Sequence, residues 1–226
     1  MPTVKIEIVS DVVCPWCYIG KRRIEKAMDQ LQGEFDFEVT YLPFELNPQI
    51  PDHGIDQVTY FSKKFGSLEK FKQISDHVTQ VAATEGLAFN FVKQKVAPNT
   101  RTAHRLIWLA MQVGKQPAVK EALMKAYFED GVDLSKSENI TAIAVQSGLP
   151  AARVSAWLHS DEGLQEVVAA EQLNYQRGIS GVPFYIINGQ YGISGAQPTE
   201  VFVQALTQIG GQVSTANSCD VDNPVC

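Results

Sequence analysis

The stretch "SDVVCPWCYIGKRR", Ser10 to Arg23, is the most informative segment of this chain. It places Cys14 and Cys17 three positions apart, directly ahead of a segment with helical character. Pro15 follows the first cysteine, and proline suits the first turn of a helix because its φ is already fixed and it has no amide hydrogen to leave unpaired. The stretch therefore predicts a helix that begins at the cysteine pair.

Strand patterns lie on both sides of this helix. Val4, Ile6 and Ile8 alternate with polar residues over positions 3–9, and a second alternation runs through "FDFEVTYLPF". The helix between them is predicted to stop at Gly33. Two strands joined by a crossover helix form a βαβ unit.

The rest of the chain divides into a helical part and a short return to strands. Residues 56–177 are predicted to be helical throughout, most clearly in "NTRTAHRLIWLAMQVG". Asn188-Gly189 between two apolar runs predicts a hairpin, and "QPTEVFVQALTQIG" predicts a last helix. We therefore predict an α/β protein with the order βαβ…ββα. Residues 1–55 and 178–210 form one discontinuous domain, 56–177 an all-helical insertion, and 211–226 a polar tail.

Composition excludes some classes of function. The chain has 226 residues, a net charge of −6 and 45% hydrophobic residues, so it has no broad basic face for nucleic acid. No segment approaches the ~18 consecutive apolar residues that span a bilayer, and the N-terminus lacks a signal-peptide pattern. We expect a cytoplasmic protein with no nucleic-acid or membrane partner. In that compartment a close cysteine pair is more often catalytic or metal-binding than structural.

The cysteine pair fits thiol–disulfide exchange. A helix N-terminus stabilises a thiolate, so Cys14 at the helix cap is the expected exposed nucleophile. Cys17 lies one turn further and can resolve a mixed disulfide by closing the Cys14–Cys17 bond. A strand, a CxxC pair at a helix start, a second strand and a later Val-Pro before a hairpin follow the order of a thioredoxin-like fold.

Three blocks carry a resemblance to a known family: "SDVVCPWCYIGKRR", "APNTRTAHRLIWLA" and "GISGVPFYIINGQYGISGAQP". The chain resembles the DsbA-like thioredoxin oxidoreductases of the FrnE type as far as about residue 209. The resemblance implies a thioredoxin fold with a helical insertion, disulfide oxidoreductase activity through Cys14 and Cys17, and a cis-proline loop at Val182-Pro183 facing them. The Val182 backbone would then pair with an extended substrate, and Trp16 is expected to contact substrates in an apolar groove. The expected partners are thiol or disulfide substrates, either proteins or small molecules.

Two further residues are accessory candidates. His104 lies on a helix of the insertion, in a region that also resembles the glutathione-dependent 2-hydroxychromene-2-carboxylate isomerases, and a helical histidine is otherwise a packing residue. Asp11 could accept a loop N–H or act as a proton relay. The isomerase group carries a serine where this chain has Cys14. Redox chemistry is therefore preferred to isomerisation. No cofactor is expected beyond the redox-active disulfide, with glutathione as a candidate co-substrate.

The tail "SCDVDNPVC" contributes Cys219 and Cys226. These could form a local disulfide or an accessory redox pair. They could also complete a four-thiolate zinc site with Cys14 and Cys17. The six residues between the tail cysteines exceed the usual two to four of zinc sites, so we expect no metal.

Overall fold

The structure, a computed structural model, describes residues 1–217, with side chains described as far as residue 212. The strands are β1 (Thr3–Ser10), β2 (Asp36–Pro43), β3 (Ile55–Asp56), β4 (Val96–Ala97), β5 (Phe184–Ile187) and β6 (Tyr191–Ser194). The helices are α1 (Pro15–Gln30), α2 (Gln57–Phe65), α3 (Leu68–Thr84), α4 (Arg101–Met111), α5 (Gln116–Lys125), α6 (Ser137–Gln146), α7 (Ala151–Leu158), α8 (Leu164–Gln176) and α9 (Thr199–Asn217). A π-helical turn, Ala126–Asp130, follows α5 directly.

Four strands form the main sheet in the order β2-β1-β5-β6. β1 and β2 are parallel, in register from Thr3 opposite Asp36 to Ser10 opposite Pro43. β5 is antiparallel to both β1 and β6. The predicted βαβ and ββα units are thus confirmed. The hairpin turn contains Asn188 at φ 51° and Gly189 at φ 71°, the positive values that asparagine and glycine accept most readily.

Helix α1 begins where the sequence predicted. Cys14 is its N-cap and Pro15 its first residue. The spacing of Ile24, Ala27, Met28 and Leu31 predicts an apolar stripe on this helix, and Ile24 and Ala27 are fully buried. α1 packs against α9 and α3. The helix therefore presents its N-terminal turn, with both cysteines, at the end of β1.

The insertion is helical apart from one short strand pair. The spacing of Leu106, Leu109, Ala110 and Val113 predicts one apolar face for α4, and the first three of these residues are buried. Val113 belongs to the same predicted stripe, but it lies beyond the end of α4 and is 53% exposed. Strands β3 and β4 pair through two residues each, and they were not predicted because so short a strand has no periodicity to detect.

One continuous core joins the insertion to the sheet. Its buried members come from β1, α1 and the insertion, and include Ile6, Cys14, Cys17, Leu106, Leu123 and Phe128. The apolar faces of the inserted helices thus pack against the element that carries the cysteine pair. Among the described residues, no helix is both long and apolar enough to cross a membrane.

The C-terminal helix is longer than predicted. α9 continues to Asn217 and so includes the first seven residues of the segment expected to be a polar tail, 211–217. The polar composition of this segment concealed the extension, because amphipathic periodicity fades there. Cys219 and Cys226 lie outside the described residues.

Candidate active site at the cysteine pair

Both cysteines of the CPWC motif are free thiols and both are buried. Cys14 is 4% exposed and Cys17 is 3% exposed, so the expectation of an exposed Cys14 is wrong. Cys14 is buried by contacts with residues distant in sequence. Cys14 Sγ lies 3.6 Å from the carbonyl oxygen of Val182, and the inserted helices share a core with both cysteines.

The Val182–Pro183 peptide bond is cis. It lies immediately before β5, whose Phe184 pairs with Val9 of β1, and the Pro183 carbonyl accepts a hydrogen bond from Gly195 N at 2.8 Å. The sheet therefore holds this loop at the end of β1, next to Cys14. Val182 is half-buried, with its carbonyl directed at the Cys14 thiol.

The two thiols occupy different electrostatic environments. Burial raises the pKa of Cys17 well above its ordinary value, and its contact with Cys14 raises it further, whereas the charge of Lys120 lowers it. Cys17 is therefore protonated at neutral pH when the pair is reduced. It must lose that proton before it can attack a mixed disulfide.

The structure brings the two accessory candidates together behind the pair. Asp11 is fully buried, and its Oδ2 accepts a 2.8 Å hydrogen bond from Leu46 N. His104 Nε2 lies 3.4 Å from Asp11 Oδ1 and 3.2 Å from the Phe44 carbonyl oxygen. Burial alone would raise the pKa of Asp11, but the hydrogen bonds from His104 and Leu46 keep it below the ordinary value. Asp11 is thus a buried carboxylate that accepts a loop N–H, and His104 is a packed residue that binds it.

A second buried carboxyl cluster borders His104. Glu45, 3% exposed, accepts a 2.8 Å hydrogen bond from Arg101 Nε. Glu171 of α8 is 8% exposed. Burial raises its pKa to about 7, with Glu45 adding to the effect and His104 opposing it. This cluster was not predicted, because its members are 126 positions apart in sequence.

An apolar groove around Trp16 was expected, but Trp16 does not line the apolar cavity near the motif. Trp16 is half-buried, and its ring centroid lies 6.4 Å from that of His77 on α3. An apolar cavity of about 120 Å³ does lie beside the motif. It is lined by Val13 and Pro15 of the motif segment and by aromatic residues of α2 and α3, but not by Trp16. The insertion therefore borders the cysteine segment, but the cavity is displaced toward α2.

Zinc binding has no support in the described part of the chain. No group of three or more His, Cys, Asp and Glu side chains there could hold a metal ion. The four-thiolate site would need Cys219 and Cys226, which are outside that part.

Lys120 is a buried residue near the cysteine pair that was not predicted from the sequence. In α5 the buried positions are Gln116, Val119, Lys120, Leu123 and Met124, the i, i+3, i+4, i+7, i+8 spacing of an apolar stripe. Gln116 and Lys120 are polar residues at positions of this apolar stripe, and this pattern could have indicated their burial from the sequence. A lysine there has to be buried or to disrupt the packing, and Lys120 is 1% exposed.

Comparison with known proteins agrees with this geometry. Residues 5–207 match the model of the DSBA-like thioredoxin domain. The chain is 28% identical over 207 residues to the uncharacterized protein YwbO of Bacillus subtilis (strain 168), covering 91% of this chain and 96% of that protein. The crystal structure of a probable DsbA oxidoreductase from Streptomyces coelicolor superposes with a TM-score of 0.85 at 37% identity, covering 92% of this chain and 91% of that one.

A 2-hydroxychromene-2-carboxylate isomerase structure shares the fold, with a TM-score of 0.66 at 15% identity, covering 95% of this chain and all of that one. The family model spans most of the present chain and includes the cysteine pair and the Val182–Pro183 loop. The chain belongs to the family of DSBA-like thioredoxin domains and is a thiol–disulfide oxidoreductase of that family.

Proposed function

We propose that the chain exchanges disulfides through Cys14 as nucleophile and Cys17 as resolving thiol, with the substrate held at the Val182–Pro183 loop. The observation that carries this proposal is the position of Cys14. It caps α1 and directs its Sγ at the Val182 carbonyl, 3.6 Å away. A group bound to that sulfur would lie against the loop backbone, where an extended chain can form main-chain hydrogen bonds.

The steps follow from the environments of the two thiols. The Cys14 thiolate attacks one sulfur of a substrate disulfide. A Cys14–substrate disulfide forms, and the other sulfur leaves as a thiolate that takes up a proton. The Cys17 thiolate then attacks Cys14 Sγ, releasing the second substrate thiolate and closing the Cys14–Cys17 bond. Two electrons pass from the protein to the substrate, and the reverse sequence donates a disulfide.

The assignment of roles rests on the difference between a helix-cap cysteine and a cysteine inside the first turn. Only Cys14 occupies the cap of α1, and its side chain makes no capping hydrogen bond, so its sulfur faces the Val182 carbonyl where the substrate is proposed to lie. Cys17 is enclosed by the core and carries the raised pKa. Attack on an incoming disulfide is therefore assigned to Cys14.

Serine variants test the proposal. We would make Cys14→Ser and Cys17→Ser in a Cys219→Ser/Cys226→Ser background, so that only the motif cysteines can react. Turnover of insulin disulfides should be lost in both variants. Mixed disulfides should accumulate only in Cys17→Ser, where Cys14 attacks but nothing resolves the product.

Equal trapping by the two serine variants would refute the assignment. Full insulin turnover by Cys14→Ser would refute the reaction. Turnover measured with glutathione as the sole reductant tests whether glutathione is a co-substrate. If the chain were a glutathione-dependent isomerase, its activity would survive the Cys17→Ser substitution.

A further inference from the structure

A cavity of about 230 Å³ lies between β2, α4, α5 and α8. The described residues that line it include neither motif cysteine and neither residue of the Val182–Pro183 bond. Met111 of α4 and Glu166 of α8 line it and are both exposed, so the cavity opens to the surface between these two helices. It is therefore a second concave site, with a lining distinct from that of the candidate active site.

Most of the cavity wall is apolar. Ile107, Trp108 and Met111 line it from α4, and Val167 and Ala170 line it from α8. An apolar cavity of about 150 Å³ is large enough to hold benzene. The larger volume of this cavity, about 230 Å³, therefore has room for an aromatic ring or a short alkyl chain together with a small polar group.

Lys120 of α5 contributes a buried cation to this wall. It is 1% exposed, and its ammonium lies 5.8 Å from the centroid of the Tyr41 ring, which also lines the cavity. The ammonium forms no hydrogen bond or ion pair with any residue whose side chain the structure describes. Burial lowers the pKa of Lys120 to about 8, so most of it is still protonated at pH 7. An ammonium is costly to bury without a carboxylate partner.

The polar groups next to Lys120 already have partners of their own. Gln116 Oε1 accepts a 2.9 Å hydrogen bond from Tyr41 N, and its Nε2 donates to the Tyr41 carbonyl oxygen at 3.0 Å. Asp11, whose negative charge acts on Lys120, is bound by Leu46 N and lies 3.4 Å from His104 Nε2. The Lys120 ammonium is thus left as the buried cation to which an incoming anion can bind.

We propose that this cavity is a binding site for a small carboxylic acid with an apolar body, whose carboxylate pairs with the Lys120 ammonium while the body lies between α4 and α8. The carboxylate accepts the N–H groups that have no acceptor in the empty cavity. The body leaves water against Ile107, Trp108 and Val167. A ring or chain of about six to ten carbon atoms fits the volume.

Titration calorimetry on the full chain tests the site, with phenylpropanoate as the aromatic probe and octanoate as the aliphatic one. At least one of the two acids should bind with one site per chain. Phenylpropanol, which has the same ring and chain but no charge, should bind about tenfold more weakly than phenylpropanoate, because it cannot form the charge-assisted pair. Binding of neither acid at millimolar concentration would overturn the inference, as would equal affinities for the acid and the alcohol.

Substitutions in the lining locate the ligand. Lys120→Met should weaken binding of the acid about tenfold or more and leave binding of the alcohol unchanged. The matched control is Glu166→Gln, which removes an exposed negative charge from the opening of the cavity. This control should bind the acid as tightly as the wild type or more tightly, because a like charge is removed. An acid that binds equally well to Lys120→Met and to the wild type would overturn the pairing with Lys120.

A second lining variant covers the case in which Lys120→Met does not fold. Ala170 is half-buried and lines the cavity, so Ala170→Leu should fill part of the space and abolish binding of acid and alcohol alike while Lys120 stays in place. Unchanged affinities in Ala170→Leu would show that the ligand lies elsewhere and would overturn the inference. These measurements do not depend on disulfide exchange, so their outcome is independent of the proposed function.

Stability without a ligand supplies the last measurement. Replacing a buried, unpaired ammonium by an apolar side chain of similar length removes the cost of burying a charge. Lys120→Met should therefore unfold at a higher urea concentration than the empty wild type, and a saturating concentration of the acid should raise the wild-type midpoint but not that of the variant. A variant midpoint at or below that of the empty wild type would show that the ammonium is already paired within the protein, and the inference would be wrong.

Discussion

Gly20 of α1 is the point at which the helix touches the cis-proline loop. A Cβ on Gly20 would lie 2.3 Å from the Tyr185 hydroxyl oxygen, 3.3 Å from Pro183 Cγ and 3.3 Å from the Ala196 Cβ. Tyr185 is fully buried, so its ring cannot swing aside into solvent. We therefore expect Gly20→Ala to push the loop away from the helix and from Cys14.

Two opposing effects set the magnitude. Overpacking a filled core costs about 1–3 kcal/mol, whereas replacing glycine by alanine inside a helix stabilises by about 0.5–1 kcal/mol. Gly211→Ala in α9 is the matched control, because its Cβ would meet no atom within 4 Å. The difference between the two variants isolates the clash. Gly20→Ala should unfold with a free energy about 1–3 kcal/mol below that of Gly211→Ala.

Urea unfolding and insulin reduction form the assay. A displacement of about 1 Å at a reacting site can lower a rate on the order of 100-fold, so Gly20→Ala should lose turnover under conditions where it remains folded. Gly211→Ala should keep wild-type turnover. Equal stability and equal turnover of the two variants would show that the close approach of α1 to Tyr185 and Pro183 is absent.

Three further predictions concern the residues around the pair. Asp11→Asn should lower the free energy of unfolding at pH 7 by about 1–3 kcal/mol, because a buried charged acceptor of the Leu46 N–H is lost. The folded-state pKa of Asp11 is depressed, so its contribution is present above about pH 4 and disappears as the pH falls through the folded value. Urea unfolding between pH 5 and pH 2 should be less pH-dependent in the variant, and an unaltered acid dependence would contradict this. Burial raises the folded-state pKa of Glu171 to about 7, so the stability of the wild type falls as the pH rises through that value. Glu171→Gln removes this ionisation. The variant should be as stable as the wild type near pH 4 and up to about 3 kcal/mol more stable than the wild type at pH 8. A variant no more stable than wild type at pH 8 would contradict it. Trp16→Ala should raise KM for a disulfide-containing peptide about fivefold, which corresponds to the loss of ~1 kcal/mol of substrate contact. Circular dichroism is the control for folding. An unchanged KM would show that Trp16 does not contact the substrate.

Local patterns were sufficient for much of the fold. The alternation in β1, the cysteine and proline at the start of α1 and the Asn188-Gly189 turn each depend on residues adjacent in sequence. Patterns of this kind are readable because backbone geometry and side-chain periodicity are short-range. Strands β3 and β4 were not predicted because two residues per strand are too few to show an alternating pattern.

The site depended on contacts between distant segments. Asp11 and His104 were each readable as candidates, yet their 3.4 Å contact exists only because the tertiary fold brings His104 of α4 next to the residue that follows β1. The burial of Cys14 follows from Val182, 168 positions away. The first contact depends on how the insertion packs on the thioredoxin part, and the second on how β5 pairs with β1 within that part.

The order of elements, the helix-capping cysteine pair and the class of chemistry were predictable from sequence, because they follow from local backbone preferences and from the reactivity of a thiol at a helix N-terminus. Which side chains are removed from water depends on tertiary packing. Burial determines the ionisation of Cys17, Lys120 and Glu171, since the cost of a buried charge depends on every group packed around it and not on its neighbours in the chain.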